Sequence, residues 1–153
     1  MPKPKTPLLT VDCVTFDARG RILLIRRNNA PFAGRLALPG GFVDVGETVE
    51  DACRRELAEE TGVKAGELVL VGIYSDPDRD PRGHSVSIVF ATVVSRAQPS
   101  AGDDAAEAAW FADWRKQRLA FDHDTIARDA YRLLRRKRII PAPKSRRPST
   151  SRP

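Results

Sequence analysis

Glu56, Glu59 and Glu60 stand at i, i+3 and i+4 in a segment whose pattern is helical. On a wheel of about 100° per residue counted from Val49 they fall at roughly 340°, 280° and 20°. Ala52 and Cys53 share that arc, so the spacing predicts three carboxylates on the face turned toward the protein. Glu50, Asp51, Arg54 and Ala58 take the outer arc. Like charges at these spacings repel by a few tenths of a kcal/mol per pair even in water, and by more in a drier site. Arg55 answers one carboxylate, while the dipole of a helix C-terminal turn disfavours anions. The residue types therefore call for a multivalent cation. Oxygen-only donors with no suitable His or Cys beside them select a hard ion, Mg²⁺ or Mn²⁺, over zinc. The ordinary alternative is a solvated acidic face with Arg pairs.

The helix that must position these acids has marked ends. Thr48 is its N-cap, Asp51 sits in the capping-box position three residues on, and Gly62 is its stop. Before it, Leu8 to Phe16 reads as a strand, Asp17 to Gly20 as a turn and Ile22 to Arg26 as the returning strand of a hairpin. Leu36 to Gly41 leads from a short apolar segment into a turn that Gly40 and Gly41 make conformationally permissive. After the helix, residues 67–74 and 85–95 read as strands, 98–107 as a polar loop and Trp110-Phe111 as a short strand. Asp122 or Asp124 caps a last helix with Ile126, Ala130, Leu133 and Leu134 at helical spacing. Strands interleaved with two helices predict an α/β chain with a mixed sheet covered on its faces.

The segment from Gly41 to Val63 resembles the Nudix box, GX5EX7REUXEEXGU with U aliphatic. Gly41, Glu47, Arg55, Glu56, Leu57, Glu59, Glu60, Gly62 and Val63 match every specified position. The resemblance implies a Nudix fold, a mixed β-sheet sandwiched between helices (an α/β/α sandwich), and hydrolysis of a nucleoside diphosphate linked to another moiety. It implies Glu56, Glu60, Glu59 and the Gly40 carbonyl as ligands for Mg²⁺ or Mn²⁺, with more than one ion expected. Glu47 and Arg55 then brace the box by an ion pair, with Gly41 and Gly62 as its structural glycines. The general base in this family is either a box glutamate, here Glu59 with Glu56 beside it, or an acid on a later loop, here Asp103, Asp104 or Glu107.

Residues 75–84, SDPDRDPRGH, present Arg79, Arg82 and His84 from a loop whose two Asp-Pro steps limit its freedom. Arginine forks suit phosphate. The alternative is a loop closed by its own Asp–Arg pairs, with His84 merely completing the turn. Arg27, at the end of the hairpin, is a further substrate-binding candidate. The DPDRDPRGH stretch and Leu119 to His123 resemble the ADP-ribose pyrophosphatase branch of the family. That resemblance implies cleavage of ADP-ribose to AMP and ribose 5-phosphate by a homodimer. Leu36 stands where many relatives carry Trp, and Phe32 and Tyr74 are the few aromatic candidates for holding a base. Two rival activities remain: a house-cleaning (deoxy)nucleoside triphosphate pyrophosphohydrolase, and a non-catalytic ADP-ribose-sensing module. The intact box and a short stretch after Ile140 speak for the enzyme.

The 153 residues are 41% hydrophobic and 30% charged, enough for one core. The net charge of +6 is unevenly placed: nine Lys or Arg and no acid follow Tyr131, leaving 17 bases against all 20 acids before it. The acidic body argues against a nucleic-acid binder, and the basic end is expected to make only weak, salt-sensitive contacts with RNA or DNA. Residues 1–7 read as a flexible N-terminal segment, 8–140 as the hydrolase domain and 141–153 as a disordered basic tail. No run approaches the roughly 18 apolar residues of a membrane span, and no signal peptide is visible, so the expected location is the cytoplasm. Cys13 and Cys53 are expected as reduced, half-buried thiols.

Overall fold

Along β1 (Leu8–Phe16) alternate side chains point to opposite faces, and both faces are covered. The computed structural model describes residues 1–95, 97–102 and 105–141. Strand β1 forms the hairpin with β2 (Ile22–Arg27) and pairs in parallel with β6 (Ser85–Val93) over its whole length. The short β3 (Leu36–Ala37) extends β2, and β5 (Val69–Tyr74) lies at the other edge against β6. Strand β4 (Gly40–Phe42) pairs with β1 and β7 (Ala105–Phe111) with β2, completing a mixed seven-stranded sheet.

Helix α1 (Val49–Thr61) puts Ala52, Cys53 and Leu57 against Val11, Cys13 and Leu23 on one face of the sheet. Helix α2 (His123–Arg136) puts Ile126, Ala127, Ala130 and Leu134 against Val14, Phe16, Ile22 and Leu24 on the other. This is the α/β/α sandwich that the box implied. Residues 1–7 are exposed and carry no regular structure, and among the described residues no helix is long and apolar enough to cross a membrane.

Three expectations need correction. Residues 105–107 belong to β7, so Glu107 is a strand residue and not a loop acid. Its backbone is held opposite Arg26, a pairing that short-range polarity does not reveal. Cys13 and Cys53 are fully buried and joined by a disulfide, with Cα atoms 6.0 Å apart, because the pleat of β1 and the inner arc of α1 bring them face to face. Gly40 and Gly41 do not adopt positive φ. They are needed for close approach, since a Cβ on Gly40 would meet Val11 and Asp12 and one on Gly41 would meet Glu56. Residues 103, 104 and 142–153, including Asp103 and Asp104, lie outside the described residues.

Candidate active site

Local chemistry fixes the frame of the site. Thr48 Oγ1 accepts the Asp51 N–H at 3.1 Å, and Gly62 closes α1 at φ 70°, where an L side chain would be strained. Along α1 the buried stripe turns as it advances, with Leu57 and Thr61 at roughly 80° and 120° on the same wheel. Glu56 and Glu60 therefore flank the stripe, while Glu59 is carried away from it and its side chain is 59% exposed. The inward placement expected of Glu59 is thus corrected.

Arg55 organises the acids. Its Nε and Nη2 donate to the two Glu47 oxygens at 3.1 and 2.6 Å, and its Nη1 donates to Glu56 at 2.8 Å and to Glu59 at 3.2 Å. A further bond runs from Nη2 to the Phe42 carbonyl at 3.0 Å, tying α1 to β4. The Arg55 hydrogen bonds, with a backbone N–H from Asp44, hold Glu47 down to about 2. Burial pushes Glu56 above the usual carboxylate range against the pull of Arg55. Among the described residues no three His, Cys, Asp or Glu side chains converge on one point. Two carboxylates do lie beside the β4 glycines and line one cavity with them: Glu56 packs on Gly41, and Glu60 accepts the Gly40 N–H at 3.2 Å. These hard donors fit a divalent cation of the Mg²⁺ type.

The low value at Glu47 gives a pH signature. Its folded pKa lies below the ordinary 4.5, so the ion pair stabilises the fold above pH 4.5 and that contribution is lost as pH falls toward 2. Glu47→Gln is expected to lower the melting temperature at pH 7 and to flatten its fall over this window. Thermal melts between pH 7 and pH 2.5 check this, and parallel curves for the two proteins would refute it.

A cavity of about 470 Å³ joins Glu56 and Glu60 to Gly40, Gly41, Arg27 and Arg82. A narrower one of about 100 Å³ shares Gly40, Glu60, Arg27 and Arg82 and reaches Phe121 and His123. Together they form one cleft over β4. A larger groove of about 600 Å³ lies between β5 and α2, but its acid, Asp129, is engaged by Tyr74 at 2.7 Å and Arg132 at 3.6 Å. Glu56 and Glu60 line the first cleft and not this groove, and Tyr74 lines the groove and not the cleft.

The other candidates separate. Arg79 is 6% exposed and forks onto Asp122 at 2.9 and 2.8 Å, with Ser85 Oγ at 3.0 Å. It lines the narrower cavity and ties the loop to α2, and Asp122 is thereby occupied instead of capping the helix. His84 Nε2 lies 3.1 Å from the Ser75 carbonyl, closing the loop. Arg82 forks onto Asp80 yet remains half exposed in the cleft. Glu107 pairs with Arg26 at 3.0 Å and lines neither cavity of the cleft.

Several residues at the cleft escape inspection of the chain. Asp12 is buried, accepts from Ser87 Oγ at 2.5 Å and lies 3.4 Å from His123 Nε2. Burial would raise its pKa, but His123, Ser87 and Arg79 outweigh burial and hold it below the usual range. His123 Nδ1 accepts the Leu38 N–H at 3.0 Å, two residues before Gly40. A lone acid in an apolar strand was the one available signal. Phe121 and Phe42 also line the cleft.

The NUDIX domain model matches residues 6–134. The chain belongs to the Nudix family. It is 51% identical over 126 residues to an ADP-ribose pyrophosphatase of Methanocaldococcus jannaschii, covering 82% of this chain and 74% of that relative. It is 34% identical to the ADPR responsive transcriptional repressor NtrR of Acinetobacter baylyi, covering 86% of this chain but only 56% of the repressor. Among solved structures, the NUDIX domain of Shewanella oneidensis NrtR complexed with ADP ribose superimposes with a TM-score of 0.80 at 33% identity, covering 85% of this Nudix chain and 90% of that one.

Proposed function

We propose that this Nudix chain hydrolyses ADP-ribose to AMP and ribose 5-phosphate with Mg²⁺ or Mn²⁺. The observation that carries the reading is a single cleft holding the Glu56 and Glu60 carboxylates beside the Arg27 and Arg82 guanidiniums. Such a cleft offers cation ligands and phosphate forks within one substrate's reach. The similarity to an ADP-ribose pyrophosphatase and to an ADP-ribose complex supports the substrate.

In this mechanism Glu56, Glu60 and the Gly40 carbonyl would hold the divalent ions. When bound, such ions neutralise phosphoanhydride charge and supply Lewis acidity. Arg55 and Glu47 keep the glutamates aligned, and Arg27 and Arg82 orient the diphosphate. Water adds to one phosphorus as the bridging P–O bond breaks, and a carboxylate takes the water's proton. Glu59, exposed beside Arg55, and the acids at 103, 104 and 107 are the alternatives for that base. We also propose residues 8–140 as the catalytic domain of a cytoplasmic homodimer, with exposed Leu70 and Ile73 on edge strand β5 available for pairing.

Incubation with ADP-ribose and Mg²⁺, followed by product chromatography, is expected to give AMP and ribose 5-phosphate in equal amounts. Pyrophosphate released from a nucleoside triphosphate, with ADP-ribose untouched, would establish the house-cleaning activity instead. Tight ADP-ribose binding without products would establish a sensor.

A further inference from the structure

Phe121 adopts φ 53°, a left-handed conformation costly for a bulky residue. The chain is fixed on both sides of it. The Ala120 N–H donates to the Leu36 carbonyl at 2.8 Å, Asp122 takes the Arg79 fork, and His123 accepts from Leu38. The ring is backed by Phe32 at 4.9 Å and His123 at 5.3 Å between centroids. Against it lie two guanidiniums, Arg27 with Cζ at 4.9 Å and Arg82 with Cζ at 5.7 Å.

Two cations on one ring repel each other. Burial and the charge of Arg82 together depress the pKa of Arg27, with Glu60 and Asp80 opposing. Arg27 spends its Nε on the Pro31 carbonyl and Arg82 forks onto Asp80, so each guanidinium is also aimed by the chain near it. An aromatic face offsets part of the repulsion through its quadrupole and holds both planes in place. An anion with charge spread over two phosphoryl groups would offset the rest, one fork to each group. An aliphatic side chain of similar volume would fill the space without orienting either arginine.

We propose that Phe121 is the positioning residue of a two-arginine phosphate clamp, its ring holding Arg27 and Arg82 so that they engage the diphosphate of the substrate. This inference deepens the hydrolase reading and rests on it for the identity of the substrate, but binding by the clamp is measurable without turnover. Inorganic pyrophosphate is titrated into the full chain by calorimetry with EDTA present, so that the glutamates contribute no bound cation. Phe121→Leu is expected to weaken binding about five- to tenfold, and Phe121→Tyr to remain within about twofold of wild type. Arg82→Lys, a change at a half-exposed position, keeps the charge without the stacking plane and is expected to lose about as much as Phe121→Leu.

With ADP-ribose and Mg²⁺, Phe121→Leu is expected to raise KM while kcat stays within about twofold, a split that general loosening of the fold would not produce. Equal binding by Phe121→Leu and wild type, equal loss in Phe121→Tyr, or no pyrophosphate binding by the wild type would each overturn the clamp. Failure of the wild type to cleave ADP-ribose, with the Leu–Tyr difference in pyrophosphate binding intact, would overturn the substrate assignment and uphold the clamp.

Discussion

Glutamine at position 56 or 60 is expected to lower kcat for phosphoanhydride hydrolysis by about two to four orders of magnitude while the protein melts within a few degrees of wild type. The exchange keeps shape and hydrogen-bonding reach but removes the charge that a divalent ion requires. Neither glutamate belongs to the apolar core: the buried contacts of α1 with the sheet are made by Ala52, Cys53 and Leu57. Glu56→Gln also leaves Arg55 its fork on Glu47 and its pair with Glu59, so the box stays braced. The half-saturating Mg²⁺ concentration should rise with the loss of kcat. Steady-state rates across a Mg²⁺ series measure both, and a variant at either position with near-normal turnover would remove that glutamate from the cation site. Glu59→Gln provides the contrast. A fall in kcat at an unchanged Mg²⁺ requirement would mark Glu59 as the base, whereas an unchanged rate would move that role elsewhere.

The parts of this molecule visible in its sequence are those encoded locally. Strand β1 begins and ends where its apolar run does, and α1 runs between a threonine whose hydroxyl caps Asp51 and a glycine that alone tolerates the terminal φ. The glutamates of the box were readable because a helix converts spacing into a shared face. What stayed hidden depends on partners distant in sequence. Glu59 was misplaced because the wheel does not say how the buried stripe drifts once Leu57 and Thr61 meet the sheet. The fork of Arg79 is engaged by Asp122, 43 residues away, a pairing that the loop sequence does not reveal. The disulfide between Cys13 and Cys53 spans 40 residues, and the buried Asp12 meets Ser87 and His123 only because β1, β6 and α2 converge. Phe121 is hidden for a related reason. Its value lies in the two arginines brought to its ring by other segments.

The two glycines before the box are expected to separate stability from catalysis when each is changed to alanine. A Cβ on Gly40 would run into the Val11 carbonyl and come within 2.6 Å of Asp12 Oδ1, and the first of these is backbone within the β1–β4 ladder. Relief requires the strands to part, so Gly40→Ala should cost about 1–3 kcal/mol, a fall in melting temperature of about 3–10 °C, together with activity. A Cβ on Gly41 would instead lie 2.5 Å from Glu56 Oε1 and 2.6 Å from its Cδ. These atoms end a flexible side chain that can swing aside with little strain, yet swinging aside takes the carboxylate out of the cleft. Gly41→Ala should therefore melt within about 2 °C of wild type and lose at least about tenfold in kcat. Melting curves and initial rates on the two variants test the distinction. If Gly41→Ala kept full activity, Glu56 would not need the position it occupies against that glycine, and the assignment of its carboxylate to the cation site would fail with it.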